Sequence, residues 1–141
     1  MNRLEQVLAS FGGCLEGILD LERLEVRKSS VRGPVEVMPK HLSPHRRLNG
    51  ATVATLTGSA RESGCLSFLP DGAPCFAAVE LKTNFIGAVR NHFICWEVHR
   101  VHAGSTTQVW NTEIRIEKAG RITVLLRCMP TLLHRNNGGL I

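Results

Sequence analysis

The 141 residues suffice for one domain, and with 43% hydrophobic and 21% charged residues the chain has the make-up of a globular protein that builds a core without metals or disulfides. Apolar runs stop short of the ~18 residues that span a bilayer, and Met1–Leu8, with Glu5 among them, has no signal-peptide pattern, so the expected location is cytoplasmic, with no membrane partner. The formal net charge is +5, Tyr is absent and 5% of residues are aromatic; with basic residues dispersed outside His45-Arg46-Arg47, a phosphate-bearing small ligand or a solvated basic face is favoured over nucleic acid.

Along the chain, Leu4, Val7, Leu8, Phe11, Leu15 and Ile18 recur at helical spacing, with a break at Gly12-Gly13. The expectation is a helix to about Ser10 and a looser continuation. Leu24–Ser30 and Val35–Met38 read as short strands joined by a turn at Arg32-Gly33-Pro34. Residues 39–47, with Pro44, read as loop. Gly50–Phe68 is the longest helix candidate; Ala51, Val53, Ala54, Leu56 and Ala60 make its first half apolar or small on every side, which predicts burial all round. Its Thr residues and Gly58 lower its intrinsic propensity, Gly by about 1 kcal/mol against Ala. Pro70-Asp71-Gly72 ends it.

Strands follow. Phe76–Ile86 is rich in β-formers. Phe93–His102 alternates Ile94, Trp96 and Val98 with Cys95, Glu97 and His99. Thr106–Glu117 alternates Trp110, Thr112 and Ile114 with Val109, Asn111 and Glu113. Ile122–Leu133 is apolar enough for a central strand. Ala103-Gly104-Ser105 and Lys118-Ala119-Gly120 read as hairpin turns. The expected organisation is one domain over 1–141, with an N-terminal helical segment over 1–20 and a flexible tail over 134–141. Antiparallel strands with one inserted long helix make an α+β fold. A sheet wrapped around one helix leaves a face or edge for a second subunit.

The five cysteines, Cys14, Cys65, Cys75, Cys95 and Cys128, are odd in number and form no Cys-x-x-Cys pair; they read as small core residues in a reducing compartment, with no zinc site. His99 and His102, three apart, face opposite sides of a regular strand and make a poor metal pair. No metal is expected. Trp96 and Trp110 read as sheet-packing residues.

His41-Leu42-Ser43-Pro44, the helix start at Leu48–Ala60, Leu66–Gly72 and Val79-Glu80-Leu81-Lys82-Thr83-Asn84-Phe85 together, in this order and spacing, resemble the hotdog-fold acyl-CoA thioesterases, in their phenylacetate-type (PaaI-like) branch. The resemblance covers roughly residues 20–133. It implies a curved antiparallel sheet wrapped around one long central helix, assembled as a homodimer or homotetramer. It further implies a coenzyme A thioester bound at a subunit interface, with coenzyme A as part of the substrate and no other cofactor.

In the family the helix opens with Leu-His-Gly-Gly, and the glycine N–H polarises the thioester carbonyl. Here the corresponding run is Leu48-Asn49-Gly50-Ala51. Helix-start N–H groups lack intrahelical partners and favour developing negative charge, so Gly50 keeps that capacity. Eight residues on, where the family carries an Asp or Glu as nucleophile or base, stands Gly58. Where it carries Asn or Gln, six residues before the His position, stands Ser43. A glycine neither attacks a thioester nor accepts a proton by its side chain.

Glu62, four residues beyond Gly58 on the same helix face, is the candidate replacement base; the competing reading pairs it with Arg61. The candidate catalytic residues are thus Gly50 and Glu62. The candidate substrate-binding residues are Ser43, Asn49, Gly58, Arg61, Lys82 and Arg90. Arg46 and Arg47 are further partners for phosphate, and each of these cations reads equally as a solvated strand or loop end. His41 and His45, flanking the loop before the helix, are alternative bases. Two functions follow: an acyl-CoA thioesterase-like protein, or a non-catalytic module that binds an acyl-CoA or other small ligand.

Overall fold

The computed structural model describes residues 5, 6, 9, 13–20, 25–27, 30–71, 73, 75–90, 93–116, 121–133, 135, 136, 139 and 140, with the side chains of residue 75 and of residues 121–140 left aside. Most of the expected first helix and the Lys118–Gly120 turn lie outside the described residues. Among the described residues the elements that frame the site are the α-helices α1 (Leu15–Ile18) and α2 (Gly50–Ser67) and the strands β1 (Glu25–Val26), β2 (Ser30–Glu36), β3 (Cys75–Phe85), β4 (Phe93–Ala103), β5 (Gln108–Ile116), β6 (Arg121–Leu133), β7 (Arg135–Asn136) and β8 (Gly139–Leu140). The first six form one sheet in the order β1-β2-β4-β5-β6-β3, every neighbouring pair antiparallel. β7 and β8 form a separate pair within the tail. The architecture is the expected α+β one, a sheet packed on one long helix.

Alternation decides which face of the sheet is the core. Ile94, Trp96 and Val98 of β4 and Trp110, Thr112 and Ile114 of β5 are buried. They pack with Val31 and Val35 of β2 and Val53, Leu56 and Ala60 of α2 in one cluster. Both tryptophans serve as sheet-packing residues. Gly64 is required there: a Cβ would meet Trp110 Cζ3 at 3.0 Å and Val98 Cγ1 at 3.1 Å. The helix tolerates its many hydroxyls because Thr55, Thr57, Ser59, Ser63 and Ser67 each return a hydrogen bond to the carbonyl four residues back, so the buried ones among them are not left unsatisfied.

Three expectations change. Arg32-Gly33-Pro34 lies inside β2, with Gly33 opposite Trp96 and Pro34 opposite Cys95 on β4. Among the described residues β1 pairs with Val31 and Arg32 on the other side, and Pro34 has no N–H to give to a further ladder there. The reversal falls instead before Ser30, whose carbonyl accepts from Arg27 N–H at 2.8 Å. Second, α2 is not buried all round. Gly50 and Ala51 are exposed, and Ala54, Thr55, Gly58, Arg61 and Glu62 are half-buried along one side. Small side chains there had mimicked core. Third, β4 carries a bulge between Arg100 and His102, so the strict alternation assumed for His99 and His102 does not hold.

β3 is the last strand of the sheet's order, at the end opposite β1. From Ala77 to Phe85 only Thr83 is even half-buried, while Val79, Leu81 and Phe85 are large apolar groups in the open. Among the described residues its ladder is to β6 alone.

Candidate functional site

The segment before α2 is held by a buried histidine. His41, fully buried, accepts from Met38 N–H through Nδ1 at 3.0 Å. That leaves the ring proton on Nε2, which donates to the Leu19 carbonyl at 2.7 Å. The His41 carbonyl accepts from Asn49 N–H at 2.9 Å. One residue thus ties the chain after α1, the turn at 38–41 and the start of α2. With both nitrogens engaged and no exposure, His41 is a brace and not a base. His45 is exposed on the adjoining turn, where Ser43 N–H donates to the Arg47 carbonyl at 2.7 Å and Arg46 N–H to the Ser43 carbonyl at 2.9 Å. Arg46 closes that turn at φ 56°, the left-handed region few side chains occupy.

Asn49 caps the helix: its Oδ1 accepts from Ala51 N–H at 2.8 Å, the capping geometry favoured for this residue type. Val53 N–H closes the first turn on the Asn49 carbonyl at 3.0 Å. Among the described residues none accepts from Gly50 N–H. The cap consumes the neighbouring donor and leaves that of Gly50 open, at the positive end of the helix dipole.

Gly50 lines a groove of about 450 Å³ together with Arg47, Leu48, Val53, Phe85, Ile86 and Val89. The groove exists because the 86–89 connection returns to the helix start, where Leu48 N–H donates to the Val89 carbonyl at 2.7 Å. Its walls are apolar apart from Arg47 at one end. A Cβ on Gly50 would touch the Phe85 ring at 3.4 Å, an ordinary contact.

Of the sequence-selected residues, Gly50 and Arg47 line the groove. Asn49 adjoins it, with its side-chain oxygen committed to the cap. Ser43 lies half-buried in the preceding turn. Lys82 is exposed on β3 and Arg90 exposed just past Val89; neither lines the groove. Gly58 and Glu62 stand about 12 and 18 Å down the axis from Gly50 at 1.5 Å per residue. Within one chain they do not meet it.

Around Gly58 there is open space, with nothing within 4 Å of an added Cβ. Arg61 Nε approaches the Gly58 carbonyl at 3.4 Å, its guanidinium lies 5.3 Å from the Phe76 ring centroid, and its Nη1 is buried without a partner. Burial pushes the half-buried Glu62 carboxyl above its ordinary range; the Arg61 charge pulls the other way and Glu16 adds to the rise. Glu16, on α1, accepts from Ser59 Oγ at 2.8 Å. No group of three or more His, Cys, Asp or Glu side chains suited to a metal occurs among the described residues, and no helix among them is long and apolar enough to cross a membrane.

Sequence reasoning missed Phe85, Ile86 and Val89 as groove walls, because only the fold brings them to Leu48–Gly50. It also missed the cap. An Asn directly before a helical run is a capping signal in its own right.

A family model described as the thioesterase superfamily matches residues 45–123. No curated protein sequence matches the chain. Among solved structures, a thioesterase from Haemophilus influenzae is 18% identical, with 95% of this chain and 92% of that one covered at a TM-score of 0.83. A mutant thioesterase from Pseudomonas aeruginosa is 21% identical, with 92% and 93% covered at 0.79. A mutant of the phenylacetic acid degradation protein PaaI from Thermus thermophilus is 16% identical, with 79% and 92% covered at 0.69. At these identities the similarity establishes the shared hotdog fold.

Proposed function

The chain belongs to the thioesterase superfamily, and from that premise we propose that it takes a coenzyme A thioester into the groove at Gly50 and hydrolyses it at the interface of two copies. The observation that carries this reading is the open Gly50 N–H at the start of α2, beside a largely apolar groove. A thioester carbonyl oxygen accepting from that N–H gains most as it becomes an oxyanion, since donor and dipole are already in place. Arg47 at the groove end suits a phosphate of the coenzyme A.

Hydrolysis needs water activated at the carbonyl carbon. Glu62 is the candidate base, and the axial separation within one chain means it would serve Gly50 of a second copy. It would take the water proton as oxygen attacks carbon. The tetrahedral intermediate then collapses, breaking the carbon–sulfur bond; the proton on Glu62 passes to the departing sulfur, and the thiol and the carboxylic acid leave. Burial that raises the Glu62 carboxyl brings it nearer the strength a base needs around neutrality. The assembly is favoured by β3, a sheet edge bearing exposed Val79 and Leu81, of the kind that pairs with another chain.

Gly58 favours a second reading, a module that binds the thioester without cleaving it, since no carboxylate stands where the family places one. The two separate in one experiment. The purified protein is incubated with a panel of acyl- and aryl-CoA esters while free thiol is followed and binding is measured by calorimetry. Thiol release that falls in Glu62→Gln supports the enzyme; binding without release supports the module; neither binding nor release removes both.

A further inference from the structure

Gly50 is a glycine that the fold does not require. Its backbone does not occupy the left-handed region, and a Cβ there would find only an ordinary 3.4 Å contact with Phe85 Cζ. Glycine at a helix position costs stability relative to alanine, so what its absent side chain secures is the space it leaves. Gly50 and the Phe85 ring both line the groove, with room for about one carbon directly between them. A ligand whose acceptor is held at Gly50 N–H therefore enters a groove that Phe85 also walls.

Phe85 is itself not spent on the core. It is 61% exposed, and the neighbouring groove wall Ile86 is 59% exposed. Leu48, Val53 and Val89 complete an apolar lining in which Arg47 is the one charged side chain. A groove of about 450 Å³ falls within the usual size range of small-molecule sites, which place a few polar groups in an apolar wall.

Resting on the thioester reading above, we infer that Phe85 selects the acyl group, favouring an uncharged apolar acyl chain or ring that packs on the phenyl face, against short or carboxylate-bearing acyl groups. An acyl carbon bound to the carbonyl held at Gly50 N–H starts beside the ring. A free carboxylate on the acyl group would lie against Phe85 and Ile86, with Arg47, the groove's one cation, engaged by a coenzyme A phosphate on the reading above, so its desolvation there would be costly. Apolar pockets discriminate by roughly 10- to 200-fold per methylene-sized change, so truncating the ring changes the ranking of ligands as well as their affinity.

The test uses ketone analogues of coenzyme A esters, in which a methylene separates the sulfur from the carbonyl so that nothing is hydrolysed. Acetyl-, hexanoyl-, benzoyl- and succinyl-type analogues and free coenzyme A are titrated by calorimetry into the wild type, Phe85→Ala and Phe85→Leu. The expected result is a wild-type preference for the hexanoyl and benzoyl types. It falls at least tenfold in Phe85→Ala, with free coenzyme A and the acetyl type unchanged, and Phe85→Leu retains the hexanoyl but not the benzoyl preference. Unchanged ratios in Phe85→Ala, an equal loss for every ligand including free coenzyme A, or a wild-type preference for the succinyl type overturns the inference while leaving the thioester reading standing. Failure of the wild type to bind any of the ligands overturns that reading and this inference with it. If the alanine variant does not fold, the benzoyl-to-hexanoyl ratio in Phe85→Leu decides alone.

Discussion

Replacing Gly58 by alanine separates what the helix needs from what an assembled site needs. Gly58 lies mid-helix in α2, and an added Cβ has nothing within 4 Å. The steric contribution in the single chain is therefore close to zero, unlike at Gly64, where Trp110 and Val98 crowd the same atom. What remains is helix propensity, which favours alanine by about 0.8–1 kcal/mol. For a domain of this size that corresponds to a rise in Tm of roughly 3 °C. Thermal and urea unfolding, monitored by circular dichroism at fixed protein concentration, read the change directly. A Tm that falls in Gly58→Ala would refute the reasoning, since it would mean that something approaches Gly58 closely that a single chain does not contain. The companion variant Gly58→Asp puts a carboxylate into the same open space. On the thioesterase reading it raises the rate of thiol release from a bound acyl-CoA, whereas a groove that binds no thioester leaves it at background.

The Glu62 carboxyl, raised by burial, makes the folded state bind more protons than the unfolded chain above the ordinary glutamate range. Its contribution to stability is present at acid pH and lost as pH rises through the folded value. Glu62→Gln is thus expected to be more stable than wild type near pH 7 and to lose that advantage toward pH 4, and a Tm difference independent of pH would contradict the assignment. His41→Ala removes the partners of Met38 N–H and the Leu19 carbonyl and opens a cavity. The expected loss is about 3 kcal/mol or more in urea unfolding, and a loss under 1 kcal/mol would show that the brace is not what holds the loop. Leu81→Lys places a charge on the open edge of β3 and is expected to shift a wild-type dimer toward monomer in sedimentation velocity; a wild type that is monomeric at micromolar concentration refutes the edge-pairing expectation.

What could be read from the chain divides by the range of the interactions responsible. β4 and β5 were legible because one face of each is core, and a period of two then writes itself into Ile94, Trp96, Val98, Trp110, Thr112 and Ile114. The bounds of α2 were legible from its ends, with Pro70-Asp71-Gly72 just beyond the last turn. Gly33-Pro34 misled because turn chemistry and an edge strand share those residues. Only the pairing of Gly33 and Pro34 with Trp96 and Cys95 of β4, a fact about a neighbour, decides between them. The outer side of α2 misled for a related reason: Ala51, Ala54 and Gly58 fit a core as readily as a surface awaiting a partner, so apolar pattern alone does not tell them apart.

The candidate site follows the same division. Its donor was legible, because an open N–H at a helix start is a local property of Asn49-Gly50-Ala51. Its wall was not, because Phe85 and Val89 reach Gly50 only through the return of the chain after an edge strand. Its acid is the least legible part, and the geometry gives the reason. In one chain Glu62 stands about three turns of helix beyond the donor it would serve. On the thioesterase reading, the missing proximity is supplied by a second copy meeting the first along the half-open side of α2. That side carries Gly58 with empty space above it and Glu62 half-buried and hard to ionise. Water around an isolated chain gives neither feature a use, whereas a facing helix start would meet both.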